Sequence, residues 1–213
     1  MRSVRKIPGN PWPHDMTITV ADRPAQLLEL LWLREAYGLH PEGADLPPLL
    51  VQTPESAATA VGDQTRAAWE SAWPRIWRDV VAHAGSEVDR RLFEHIRETA
   101  DGSPERASAL REIVGPSWGD EFGRDALQDP SHDDWQRQIR DAFDASRRDL
   151  LVNSPERRDL DALIPAWRAG LTKIVTIPCR GVCAQKVGSN ALLVTDLTRA
   201  DSASYQRALR SFT

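Results

Sequence analysis

The sequence predicts a mainly helical α+β fold. A multi-helix domain is expected over residues 17–213, ending in a small β-β-α element over 171–213, and an irregular, flexible N-terminal arm over 1–16 precedes it. Three observations carry that prediction. Apolar residues recur at steps of three and four, between capping residues, through most of the chain up to about residue 170. After Gly170 the pattern changes to two short β-branched or aliphatic runs. The first sixteen residues hold Pro8, Pro11 and Pro13 with Gly9 and Asn10 and show no periodicity.

Residues 17–20 are apolar and β-branched enough for a short strand. Asp22 then reads as a helix cap, with Pro24 in the first turn and Gly38 beyond the end. Leu27, Leu28, Leu30, Leu31, Trp32 and Leu33 cover most of that helix's circumference, which places it at the centre of the core. Residues 39–54 form a proline-rich connection. Thr53-Pro54-Glu55, Ser103-Pro104-Glu105 and Ser154-Pro155-Glu156 each combine a capping hydroxyl, a proline at the first helical position and an acid that complements the helix dipole. Ser86 with Asp89, and Ser131 with Asp134, form capping boxes. Gly115-Pro116 stops one helix, and Pro165 lies near the start or at a kink of another. Lys173–Ile177 and Ala191–Thr195 are the strands of the tail, expected as antiparallel neighbours, and Asp201 caps the last helix. Two or three strands are too few to stand alone, so the tail packs on the helices.

The chain has 213 residues, 41% of them hydrophobic, with a net charge of −4. A chain of this size buries about 70% of its unfolded surface, so folding needs no disulfide or metal staple. The negative balance and the absence of a basic patch interleaved with aromatics argue against a nucleic-acid partner. Of the 27 basic residues only Lys6, Lys173 and Lys186 are lysines. This reads as the codon bias of a GC-rich bacterial genome ahead of an arginine-based anion site. The pairs Arg90–Arg91, Arg147–Arg148 and Arg157–Arg158 read as solvated helix faces. No apolar run approaches the roughly 20 residues of a membrane span, and none follows the basic start as in a secretory signal, so no membrane contact is expected and the cytoplasm is the default.

Cys179 and Cys183 have three residues between them, without a second cysteine pair for a zinc site. Two free thiols are the first reading, ahead of a local disulfide or a metal or redox site. The five histidines show no metal-ligand spacing, so neither metal nor cofactor is expected.

Eight tryptophans are the compositional oddity. Trp69, Trp73 and Trp77 follow one another at i, i+4 and i+8, an arc of about 80° on one helix face. Pro74 interrupts that face by removing a backbone donor, so the helix kinks or restarts there. The stripe is either core or a partner-binding face. Trp118 sits in a glycine-rich loop, 115–123, that lacks the lysine and hydroxyl of a phosphate-binding loop. Trp12 lies in the arm, among residues that cannot pack by themselves. No nucleophile elbow occurs. The expected function is therefore a non-catalytic protein–protein interaction module: an adaptor, an assembly component or an inhibitor. It binds another protein or a second copy of itself through Trp12, Trp69, Trp73, Trp77 and Trp118. The alternative is a small bacterial hydrolase or transferase with its site between the Trp118 loop and the β-β-α element, where His83, His95 or Cys179 would titrate.

Overall fold

The computed structural model describes residues 11–87, 89–152 and 154–213, with the backbone alone at 90 and 146–152. Most of the predicted arm (residues 1–10), Val88 beside the first capping box, and the Arg90, Arg147 and Arg148 side chains therefore lie outside the described residues. The rest is a mostly helical α+β fold: β1 (Thr19–Asp22), α1 (Ala25–Ala36), α2 (Asp63–Gly85), α3 (Arg90–Glu98), α4 (Pro104–Val114), α5 (Gly119–Phe122), a 3₁₀ turn (Asp125–Gln128), α6 (Pro130–Val152), α7 (Pro155–Arg158), α8 (Leu160–Arg168), β2 (Lys173–Ile177), β3 (Ala184–Val187), β4 (Ala191–Thr195), α9 (Asp196–Ala200) and α10 (Ser202–Arg210).

The sheet runs β1-β2-β4-β3. β1 pairs parallel with β2 from Thr19 opposite Lys173, and β2 pairs parallel with β4 from Lys173 opposite Ala191. Only β3 is antiparallel, at the edge beside β4. The two predicted tail strands are thus neighbours, but parallel ones. The chain leaves β2, runs back along the edge as β3 and turns through Gly188-Ser189-Asn190 before entering β4. The edge strand Ala184-Gln-Lys-Val has one β-branched residue and alternates exposed with covered positions, which hid it in the sequence.

Strand periodicity of two divides the core between the faces of the sheet. Val175, Ile177, Ala191 and Leu193 join a cluster with α1, α2, Trp118 and the start of α6. Ile174, Leu192 and Val194 join Met16, Ile18, α8 and α10 in a second cluster. Helices cover both faces, which is why every residue of β4 is buried and its sequence shows no polar alternation.

Several helix starts differ from the prediction because side-chain caps are engaged elsewhere. Asp22 ends β1, and α1 follows Pro24 without a side-chain cap. Residues 53–62 are irregular: the Thr53 hydroxyl accepts from Arg180 Nη2 at 2.7 Å in place of a first-turn amide. Ser103 does cap α4, accepting from Arg106 N, whereas the Ser154 hydroxyl donates to Glu156. α3 is capped by Asp89, three residues after Ser86, and the Asp129 carboxylate accepts from Ser131 N so that α6 begins at Pro130. α2 runs unbroken through Pro74. Asp201 caps α10 as expected.

Candidate functional site

The tryptophan face of α2 points inward. Trp73 and Trp77 stack with ring centroids 5.3 Å apart, and Trp73 Nε1 donates to Leu30 O at 3.0 Å. Trp69 packs edge-on to Tyr37 and Trp118. Trp69, Trp73, Trp77 and Trp118 are all buried. Trp12 is half-buried: its Nε1 donates to Met16 O, and the ring packs on the cluster beneath β1. Four of the five indoles expected to face a partner are thus enclosed within the chain, and Trp12 keeps part of its surface open. An i, i+4, i+8 stripe on a helix laid against a sheet is absorbed by the core, and the tail strands supply the wall it covers. Two buried indole donors, Trp32 Nε1 and Trp118 Nε1, have no acceptor among the described residues.

The charged groups of the fold converge instead at the carboxyl ends of the parallel strands, where open α/β sheets commonly hold ligands. Arg23 follows β1 with φ of +52°, a left-handed conformation that a residue with a Cβ adopts at some cost. That turn aims its guanidinium across the sheet end. Nε and Nη2 donate to Asp196 Oδ2 at 3.0 and 2.7 Å, and Nη1 donates to Ile139 O of α6 at 3.0 Å. The same guanidinium lies 4.8 Å from the centre of the Phe143 ring. Beside it, Asp22 Oδ1 accepts from Thr176 Oγ1 and faces Arg199 Nη1 at 3.4 Å.

Arg199 is fixed in turn by Glu156, donating through Nε at 2.8 Å and Nη2 at 2.9 Å, and Glu156 also accepts from the Tyr205 hydroxyl. Burial alone would raise the Glu156 carboxyl, but Arg199 and Ser154 bring it below its ordinary value. Burial pushes the Tyr205 hydroxyl well above its ordinary value. Asp159 is likewise opposed by burial and held low by Arg158, Ser202 and Gln206. A reciprocally paired network of this kind fixes geometry. The crevice between it and α6 keeps two hollows, one on each side of the Arg23–Ile139 bond, of about 260 and 160 Å³.

A third hollow, of about 330 Å³, lies where the alternative reading expects one, between Pro116 and β2. Its walls are mainly Val80, Ala84, Ile113 and Val114, with His83 and Lys173 at its polar end. Burial lowers the Lys173 ammonium, partly opposed by Glu87, and its Nζ donates to Ser86 O at 2.7 Å. Gly115 is required here: its φ is +76°, and a Cβ would collide with the His83 ring. His95 is exposed on α3, away from these walls. Burial pushes the Cys179 thiol up to about 12, partly opposed by Arg34, so it stays protonated and unreactive. Cys179 and Cys183 are free thiols, and among the described residues no histidine, cysteine or carboxylate cluster is arranged to hold a metal. No described helix is long and apolar enough to cross a membrane.

One apolar surface stays uncovered. α3 buries none of its described side chains, and its main neighbour is α4, which buries Ala109 alone. Phe93, Leu110 and Val114 are 45, 43 and 47% exposed. Among the described residues, Phe93 is left nearly half exposed, which its place on a short amphipathic helix does not announce. Arg23 was invisible in the sequence, since it carries no motif and its partners are up to 173 residues away. No family model matches the sequence, and no curated protein or solved structure is significantly similar to it.

Proposed function

We propose that this is a non-catalytic interaction module that assembles with a second copy of itself through the α3–α4 hairpin. The bare apolar face of that hairpin carries the reading. Helices as short as α3, with 9 residues, draw most of their stability from tertiary packing, yet α3 packs on little besides α4. Phe93, Leu110 and Val114 supply an apolar centre, and the surrounding charges are of both signs: Glu94, Glu98, Glu105 and Glu112 against Arg91, Arg97 and Arg111. An isologous contact sets a surface against its own copy, so such a rim can pair with itself. The paired charges of the strand-end crevice agree with a scaffold that performs no proton transfer. The arginine-heavy composition and the two free thiols support a reducing bacterial cytoplasm as its setting.

Sedimentation equilibrium across a concentration series tests the reading. The wild-type protein is expected to be dimeric at about 50 µM and Phe93→Asp monomeric. A wild-type monomer at every concentration overturns it.

A second reading, a small hydrolase or transferase, is supported by the His83 and Lys173 cavity and its burial-lowered ammonium. Hydrolysis of p-nitrophenyl acetate above the buffer rate, lost in Lys173→Met, would put this reading first.

A further inference from the structure

The larger of the two strand-end hollows, about 260 Å³, is walled by Asp22, Leu28, Gln136, Ile139, Arg140 and Phe143. Its hydrogen-bonding capacity is open at three places. Asp22 uses Oδ1 for Thr176 and Arg199, and among the described residues Oδ2 has no hydrogen-bond partner. Gln136 uses Nε2 toward His132 Nε2, which leaves its carbonyl oxygen as an acceptor. Arg140 is exposed and makes no ion pair among the described residues. Arg23 adds no free cation, because Asp196 neutralises it and Ile139 O takes a further donor. The hollow therefore presents one open carboxylate oxygen with a neutral acceptor, one open guanidinium, and an apolar wall.

A ligand matching that set carries an ammonium and a carboxylate on an apolar body. We infer that the cavity binds a free α-amino acid with an apolar side chain, its ammonium on Asp22 and the Gln136 carbonyl, its carboxylate on Arg140, and its side chain on Leu28, Ile139 and Phe143. A simple anion would share the hollow with the Asp22 carboxylate, and a simple cation with the Arg140 guanidinium. Each lone charge is disfavoured by one wall, which selects for both charges on one molecule. The geometry suits small ligand sites generally: a few directed polar groups over an apolar surface. This site is distinct from the α3–α4 face, and neither claim depends on the other.

Isothermal titration calorimetry on the full chain tests it with four probes: L-leucine, L-phenylalanine, 3-phenylpropionate and phenethylamine. The structure predicts saturable binding of at least one of the amino acids, with both single-charge analogues of phenylalanine at least about tenfold weaker than phenylalanine itself wherever that is the amino acid bound, or than leucine otherwise. Arg140→Gln should weaken amino-acid binding by about tenfold while leaving the melting temperature unchanged, since Arg140 is exposed and outside the ion pairs of the fold. The inference is overturned if neither amino acid saturates below about 10 mM, if a single-charge analogue binds as tightly, or if Arg140→Gln binds like the wild type.

Discussion

α2 and α3 lie close together in the chain and meet opposite fates. α2 turns three indoles onto α1, Trp118 and the sheet, and all three are buried. α3 turns its apolar face toward α4 and leaves Phe93 nearly half exposed. The contrast teaches that abundance of a hot-spot residue type does not locate an interface. A tryptophan stripe is large enough to organise a core around itself, whereas the short helix with Leu92, Phe93 and Ile96 meets mainly α4 among the described residues.

Substitutions on the two helices should separate these roles, beginning with the largest effect. Trp73→Ala removes a fully buried ring stacked on Trp77 and is expected to cost about 3–5 kcal/mol in urea-induced unfolding. Glu156→Gln, on the opposite side of the sheet, leaves Asp22 at 3.4 Å as the one carboxylate facing the Arg199 guanidinium among the described residues and should cost about 2–3 kcal/mol in the same measurement.

A smaller change follows from acid. His132, packed 4.6 Å from Trp32, is held by burial below its ordinary value of 6.5, against the Leu127 carbonyl and the nearby Asp133 and Asp129. The unfolded chain therefore takes up that proton first, so this contribution is complete above pH 6.5 and declines as the pH falls below it. The melting temperature should drop as the pH falls below 6.5, and His132→Phe should flatten that stretch of the profile.

Phe93→Asp should alter the stability of the separated chain least, by about 0.5 kcal/mol or less, while abolishing the dimer in sedimentation. If it instead destabilises the monomer as much as Trp73→Ala does, α3 is core after all and the contrast between the helices fails.

Much of this architecture was legible in the sequence because its signals are local. The all-round apolar helix through Leu27–Leu33, the Ser103 and Asp201 caps and the stop at Gly115 depend on neighbours within a few residues. The parallel pairing of β1 with β2 does not. Nothing in residues 19–22 announces a partner at 173–176, and β3 was lost because an edge strand needs little β-propensity. The strand-end site was illegible for the same reason: Arg23, Ile139 and Asp196 come from three distant segments and become a unit only when the sheet aligns their ends.

That alignment has a consequence for biogenesis. Asp22 and the Thr176 hydroxyl that bonds it are 154 residues apart, so β1 must await the synthesis of β2 before it finds this edge to join. Folding of so non-local a sheet is intrinsically slow. Until β2 is synthesised, nascent β1 and the leucine-rich α1 behind it lack their sheet partner, and a truncation that removes β2 should leave them aggregation-prone.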